Sequence, residues 1–170
     1  MSTAFDPEAL LRILSRRKLD YVLIGAFAAA LHGSPLPTMD LDVCPARNDD
    51  NIARLADLLL VDLRALWETT GAPFAGTIDE ACERLSAGSL FSFDTAHGRL
   101  DVVFEPAGTT GYRELARRAV RRRIGDVDVD IAALEDIIRS KQAAGREADL
   151  RALPVLRKLL EHNGLPRDEP

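Results

Sequence analysis

Apolar residues along this chain change their spacing segment by segment, and the changes mark out the secondary structure. Leu10, Leu11, Ile13 and Leu14 recur at helical spacing behind Asp6-Pro7, an N-cap followed by proline at the first helical position, and predict a helix running to about Lys18. The continuous apolar run Tyr21-Val22-Leu23-Ile24 meets Gly25 and passes into an Ala-rich segment, which predicts a buried strand over 21–25 and a helix over 26–32. After a Pro-punctuated loop, Ser34 to Pro37, strict alternation in Thr38-Met39-Asp40-Leu41-Asp42-Val43 predicts a strand over 39–44 that Pro45 ends. Ile52, Leu55, Ala56, Leu58 and Leu59 return to helical spacing behind Asn48 or Asp49, in a helix that can extend through Leu63 and Leu66 to Trp67.

The second half begins with a loop over 69–76 and a short helix over 78–85. Two strand-like runs, 90–95 and 99–105, flank His97-Gly98 and predict a hairpin. A loop over 106–111 leads to a helix over 112–122 with Tyr112, Leu115, Ala119 and Val120 inward. Val127-Asp128-Val129-Asp130-Ile131 alternates again and predicts an outward-facing edge strand. Leu134, Ile137, Ile138 and Lys141 define a helix over 132–143, Gly145 stops it, and 146–161 forms a last helix with Pro154 as a point of interruption. The expected fold class is α/β (α+β): a mixed sheet covered by helices, with a C-terminal helical pair.

Length and charge narrow this picture. A chain of 170 residues suits one domain, expected over 1–163, with the polar, Pro-rich residues 164–170 as a disordered tail. No stretch approaches the roughly 18 apolar residues of a membrane helix, and no basic-then-apolar leader opens the chain, so a cytoplasmic protein is expected. Cys44 and Cys82 lie far apart without metal-ligand spacing and read as reduced thiols, Cys44 facing the core. A net charge of −5 argues against nonspecific coating of nucleic acid, so any polyanion must be met by a local patch. Arg113, Arg117, Arg118, Arg121, Arg122 and Arg123 supply the candidate, either as a solvated helix face or as an RNA-backbone site.

Candidate chemistry centres on residues 21–44. Strand spacing puts Asp40 and Asp42 on one face, with Leu41 and Val43 on the other. Paired carboxylates repel unless a cation lies between them, and Mg²⁺ shared with substrate phosphates is the usual solution. Gly25 lacks a β-carbon, so a phosphate can approach the backbone N–H groups at the start of the following helix. Asp101 sits inside the apolar run Leu100-Val102-Val103, where a polar residue most needs a reason, and Asp94 lies on the strand before it; Asp128 and Asp130 form a rival pair that lacks a preceding Gly-to-helix turn. Lys141 falls on the inward face of its helix, where it either snorkels outward or meets a buried anion. Asp149 can orient Lys141 or Arg146, or pair with either at the surface. Trp67 is read as packing or a base platform, and His97 as a turn residue.

The order apolar-Gly25-Ala26, a spacer, then Asp40-Leu41-Asp42-Val43 resembles the signature of the DNA polymerase β superfamily of nucleotidyltransferases. The tail Leu134-Glu135-Asp136-Ile137-Ile138 to Lys141, with Gly145-Arg146 and Asp149-Leu150, resembles the AbiEii/MenT-like toxin-type branch. The resemblance covers about 21–160. It implies a nucleotidyltransferase-like sheet and an enzyme transferring a nucleotide from an NTP to RNA (tRNA) or protein, with pyrophosphate released and a cognate antitoxin as partner. Transfer to a small antibiotic-like molecule, or a noncatalytic nucleotide-binding role, are the alternatives. It further implies Asp40, Asp42 and Asp101 as ligands of Mg²⁺ or Mn²⁺, Lys141 as the triphosphate clamp and Arg117, Arg118, Arg121 and Arg122 as the tRNA contact. Ala26 stands where many members have Ser or Gly, and Leu36 and Met39 stand where relatives often carry arginine. Ser34 and Thr38 are the hydroxyl donors that could compensate.

Overall fold

The computed structural model describes residues 4–164. Among these, seven strands form one mixed sheet in the order β3-β4-β5-β2-β1-β7-β6, covered by seven α-helices. The sheet's centre is built from β1 (Tyr21–Ile24) and β2 (Asp40–Pro45), which pair antiparallel with Ile24 opposite Asp42, and from β5 (Gly98–Val103), which runs parallel to β2 with Asp42 opposite Asp101. β4 (Leu90–Thr95) completes the predicted hairpin with β5, and β7 (Val127–Ile131) lies parallel to β1 on the other side.

Three helix starts, those of the first, third and fourth helices, are fixed by side-chain caps. In α1 (Pro7–Arg16) the Asp6 carboxylate accepts from the Ala9 N–H at 3.0 Å, and Leu10, Leu11 and Leu14 bury completely. Asn48 caps α3 (Asp49–Asp57) in the same way, and Asn51 behind it ties the helix to Asp20 and Ala46 through three hydrogen bonds. α2 (Gly25–Leu31) follows β1 without a connecting residue. α4 (Ile78–Ala87) and α5 (Tyr112–Arg118) flank the hairpin. α6 (Leu134–Ala144) ends at Gly145 in the left-handed conformation, and α7 (Glu147–Asn163) folds back against it as the expected pair. α7 is unbroken: the Leu150 carbonyl, which Pro154 leaves without an amide, lies beside an exposed side chain and can be solvated.

Three expectations are corrected. The helix after Asp49 does not reach Trp67; it loosens into a π-turn over Leu58–Asp62, held by Arg17 against Asp57 and Asp62, and Leu66–Trp67 become the short edge strand β3. There Trp67 packs among Phe74, Phe91 and Phe93. The helix at Tyr112 stops at Arg118, because Ala119 turns extended and Val120–Ile124 form β6, a strand hairpinned to β7 through Gly125 at φ 57°. β6 is therefore the sheet edge, and β7, with Val127, Val129 and Ile131 buried, is interior. Gly164 ends α7; the rest of the proposed tail lies outside the described residues. None of the described helices is long and apolar enough to cross a membrane.

Candidate active site

The sheet's hydrophobic alternation puts the acids where they are. Leu41, Val43, Leu100 and Val102 are buried on one face, so Asp40, Asp42 and Asp101 must emerge together on the other. Asp42 and Asp101 stand directly opposite each other on neighbouring strands, and Asp40 is opposite Arg99. All four line a cleft of about 620 Å³ whose other walls include Gly25 from the β1–α2 junction, Lys141 from α6, and Arg146 and Asp149 from the start of α7.

Gly25 is required by geometry. Its φ is 71°, and a β-carbon there would fall 2.1 Å from Asp42 Oδ2. The backbone at the head of α2 and the Asp42 carboxylate are thus in contact.

The electrostatics agree with the geometry. Burial, then the charges of Asp40 and Asp101, push Asp42 up to about 7, against the pull of Lys141 and Arg146. Asp101 is also raised by burial, opposed by a hydrogen bond from Ser92 and by Arg99. Thr38 donates its hydroxyl to Asp40 Oδ1 at 3.2 Å, and Arg99 donates its Nε–H to Asp101 Oδ1 at 3.4 Å while its Nη2 holds Glu68 at 3.2 Å. Among the described residues no three such side chains are grouped as a finished metal centre. Asp40 turns to Thr38, and Asp101 to Arg99 and Ser92.

On the opposite wall Asp149, 4% exposed, accepts from Lys141 Nζ at 3.0 Å and from Arg146 Nε at 2.7 Å. Burial opposes its ionisation, but those two hydrogen bonds and the positive charges of Arg146 and Lys141 together outweigh it and hold its carboxyl below the usual range. Of the alternatives for Asp149, it pairs with both cations, inside the cleft wall.

The remaining sequence candidates separate. Ala26 and Ser34 line a smaller adjoining pocket of about 270 Å³ that shares Lys141 with the cleft, and the Ser34 hydroxyl accepts from the Leu36 N–H. Asp94 points to the same sheet face as Asp101 but lines a neighbouring hollow instead. Asp128 and Asp130 pair with Arg123 and Arg121 across the β6–β7 hairpin and take no part in the cleft. The arginine run is divided between α5 and β6: Arg121 is spent on Asp130 and Arg118 on Asp136, while Arg117 and Arg122 remain exposed. Sequence reasoning passed over Arg99, Glu68 and Ser92. The alternation Arg99-Leu100-Asp101 carries the signal for the first of these.

The fold has counterparts among solved structures. The lincosamide antibiotic adenylyltransferase LnuA, in its lincomycin-bound form, superposes at TM-score 0.59 over 92% of this chain and 99% of its own, with 11% identity. The chain has the nucleotidyltransferase fold. An antigenic nucleotidyltransferase-like protein from Paracoccidioides brasiliensis aligns at TM-score 0.52 and 18% identity, covering 89% of this chain and 73% of its own. A candidate nucleotidyltransferase from Thermotoga maritima aligns at 0.50 and 14%, over 94% and 97%. No family model and no curated protein sequence matches the chain.

Proposed function

We propose that this protein transfers a nucleotide from an NTP to an acceptor hydroxyl, with pyrophosphate released. The observation that carries the reading is the convergence of Asp40, Asp42 and Asp101 on one wall of a cleft whose other wall presents Lys141 and Arg146. Carboxylate oxygens are the donor chemistry that a hard divalent cation such as Mg²⁺ or Mn²⁺ takes, and the burial and mutual repulsion that raise Asp42 are the conditions a cation relieves. When bound, such an ion supplies charge stabilisation at the α-phosphate. Asp40 and Asp42 would hold such an ion, and Asp101 would accept the proton of the acceptor hydroxyl. That oxygen bonds to the α-phosphorus as the bond to the β-phosphate bridging oxygen breaks. The N–H of Ala26 beside Gly25, with Lys141 and Arg146, steadies the β- and γ-phosphates as they leave.

A small molecule is the acceptor that the surface favours. Arg99 forms the boundary between the cleft and a neighbouring hollow of about 760 Å³ that includes Met39, Leu66 and Asp94, with Met39 71% exposed beside Asp40. That hollow mixes apolar walls with charges of both signs, Asp62 and Asp94 against Arg64 and Arg99, next to the proposed attacking side. LnuA, of the same fold, is named for adenylyl transfer to a lincosamide antibiotic. A toxin-type enzyme acting on tRNA, with a cognate antitoxin, is the second reading, and exposed Arg117 and Arg122 are what support it.

The test is incubation of purified protein with each α-labelled NTP, Mg²⁺, and either a panel of hydroxyl-bearing antibiotics or total RNA. Label should pass to a small acceptor and not with Asp40→Ala/Asp42→Ala. Label on RNA that Arg117→Glu/Arg122→Glu abolishes would establish the second reading. Transfer to neither, with any NTP, would overturn both.

A further inference from the structure

One face of the sheet carries the acids, and that face continues past them. Across the β4–β5 pair it presents three facing couples in order: Asp94 with Arg99, Ser92 with Asp101, and Leu90 with Val103. Phe91, Phe93, Leu100 and Val102 alternate with these and bury on the opposite side. The couple on one side of Asp101 is therefore charged and the couple on the other is apolar. Leu90 is 61% exposed and Val103 half-buried, and both line the cleft. A single exposed leucine needs no explanation. Two apolar side chains in register on the floor of an otherwise polar cleft do, the more so when they stand two residues, about 6.6 Å of strand, from Asp101.

The chemistry at phosphorus identifies what covers them. In the transfer proposed above, the leaving pyrophosphate is drawn toward Lys141, Arg146 and the Gly25 junction, on the β1 side of Asp42. The acceptor comes from the hollow beyond Arg99. Attacking and leaving oxygens lie in line through the α-phosphorus, so the nucleoside must branch off that axis. Along the sheet face the direction left to it runs toward Leu90 and Val103, one ribose away. Resting on the NTP reading above, we propose that the nucleobase lies face-down on Leu90 and Val103. A base is apolar on its faces and polar on its edges, and Ser89, Glu105 and Ser140 bring polar groups to the same cleft lining. A floor of this kind grips by contact area, so purine NTPs are favoured over pyrimidine NTPs.

Calorimetry in Mg²⁺ compares ATP, CTP and ribose 5-triphosphate, which has no base, on wild type and on Leu90→Asn. Wild type should bind ATP about tenfold more tightly than ribose 5-triphosphate and about threefold more tightly than CTP. Leu90→Asn, at an exposed position, should weaken ATP about fivefold and leave ribose 5-triphosphate where it was. A leucine that served only the fold would weaken both alike, and that result overturns the proposal. Equal binding of ATP and ribose 5-triphosphate, or of ATP and CTP, by wild type overturns it too, whatever the variant does, and leaves the triphosphate site standing. If none of the three binds, the NTP reading fails and this proposal with it.

Discussion

Asp42 Oδ2 occupies the space that any side chain at Gly25 would need, at 2.1 Å from the first carbon of that side chain. Glycine here is doubly constrained, by a left-handed φ of 71° and by its acidic neighbour. Gly25→Ala should therefore cost about 1–2 kcal/mol of stability from backbone conformation alone, a fall of about 4 °C in Tm. It should also push Asp42 off position and lower turnover by roughly 100-fold. Melting curves and label transfer on the same preparation check both; full activity would remove Gly25 from the site.

Metal-free protein should become less stable as pH rises. Asp42 has a folded pKa of about 7 against an ordinary 3.8, because of burial and of Asp40 and Asp101. A carboxyl raised in the folded state favours folding while protonated, so its contribution is complete below about pH 4 and lost as pH rises through about 7. Thermal melts in chelator from pH 4 to 8 should show this slope, and Asp42→Asn should flatten it. Mg²⁺ should raise Tm more at pH 8 than at pH 5. An unchanged slope in Asp42→Asn would remove Asp42 as its source.

Asp149 holds Lys141 and Arg146 by one oxygen each, at 3.0 and 2.7 Å. Asp149→Asn should leave the fold standing and weaken Mg-NTP binding about tenfold, with Lys141→Ala no worse when combined with it. Additive losses in the double variant would show that the two act separately.

Arg99 stands between Asp101 and Glu68, on the side of the site where the acceptor is proposed to bind. Arg99→Ala should lower kcat about tenfold with little change in the KM for NTP, since its contacts lie away from Lys141 and Arg146. A rise confined to the NTP KM would place Arg99 on the phosphate side instead.

The centre of the fold was legible because it obeys simple periods. The continuous run of β1, the alternation of β2 and the turn at His97-Gly98 each fix a strand without help from the rest of the chain, and the site acids ride on two of them. The edges were less legible. Val120-Arg121-Arg122-Arg123-Ile124 carries three charges in a row, which hides the alternation of its end residues and suits an exposed helix face equally well. Only pairing with β7, where Arg121 and Arg123 meet Asp130 and Asp128, decides for a strand. Likewise the π-turn after Asp57 depends on Arg17 from a distant helix, and no local spacing announces it. Arg99 escaped notice because its meaning lies in what stands beside it on the sheet, Asp101 and Glu68.

The parallel match of Asp42 with Asp101 has a bearing on how such a protein can drift under selection. A slip of one position between β2 and β5 would turn Leu100 and Val102 outward and drive Asp101 into the core, so the oily face acts as a ruler for the acidic one. Descendants that lost the chemistry could keep this scaffold, but none could lose the scaffold's alternation and keep the chemistry.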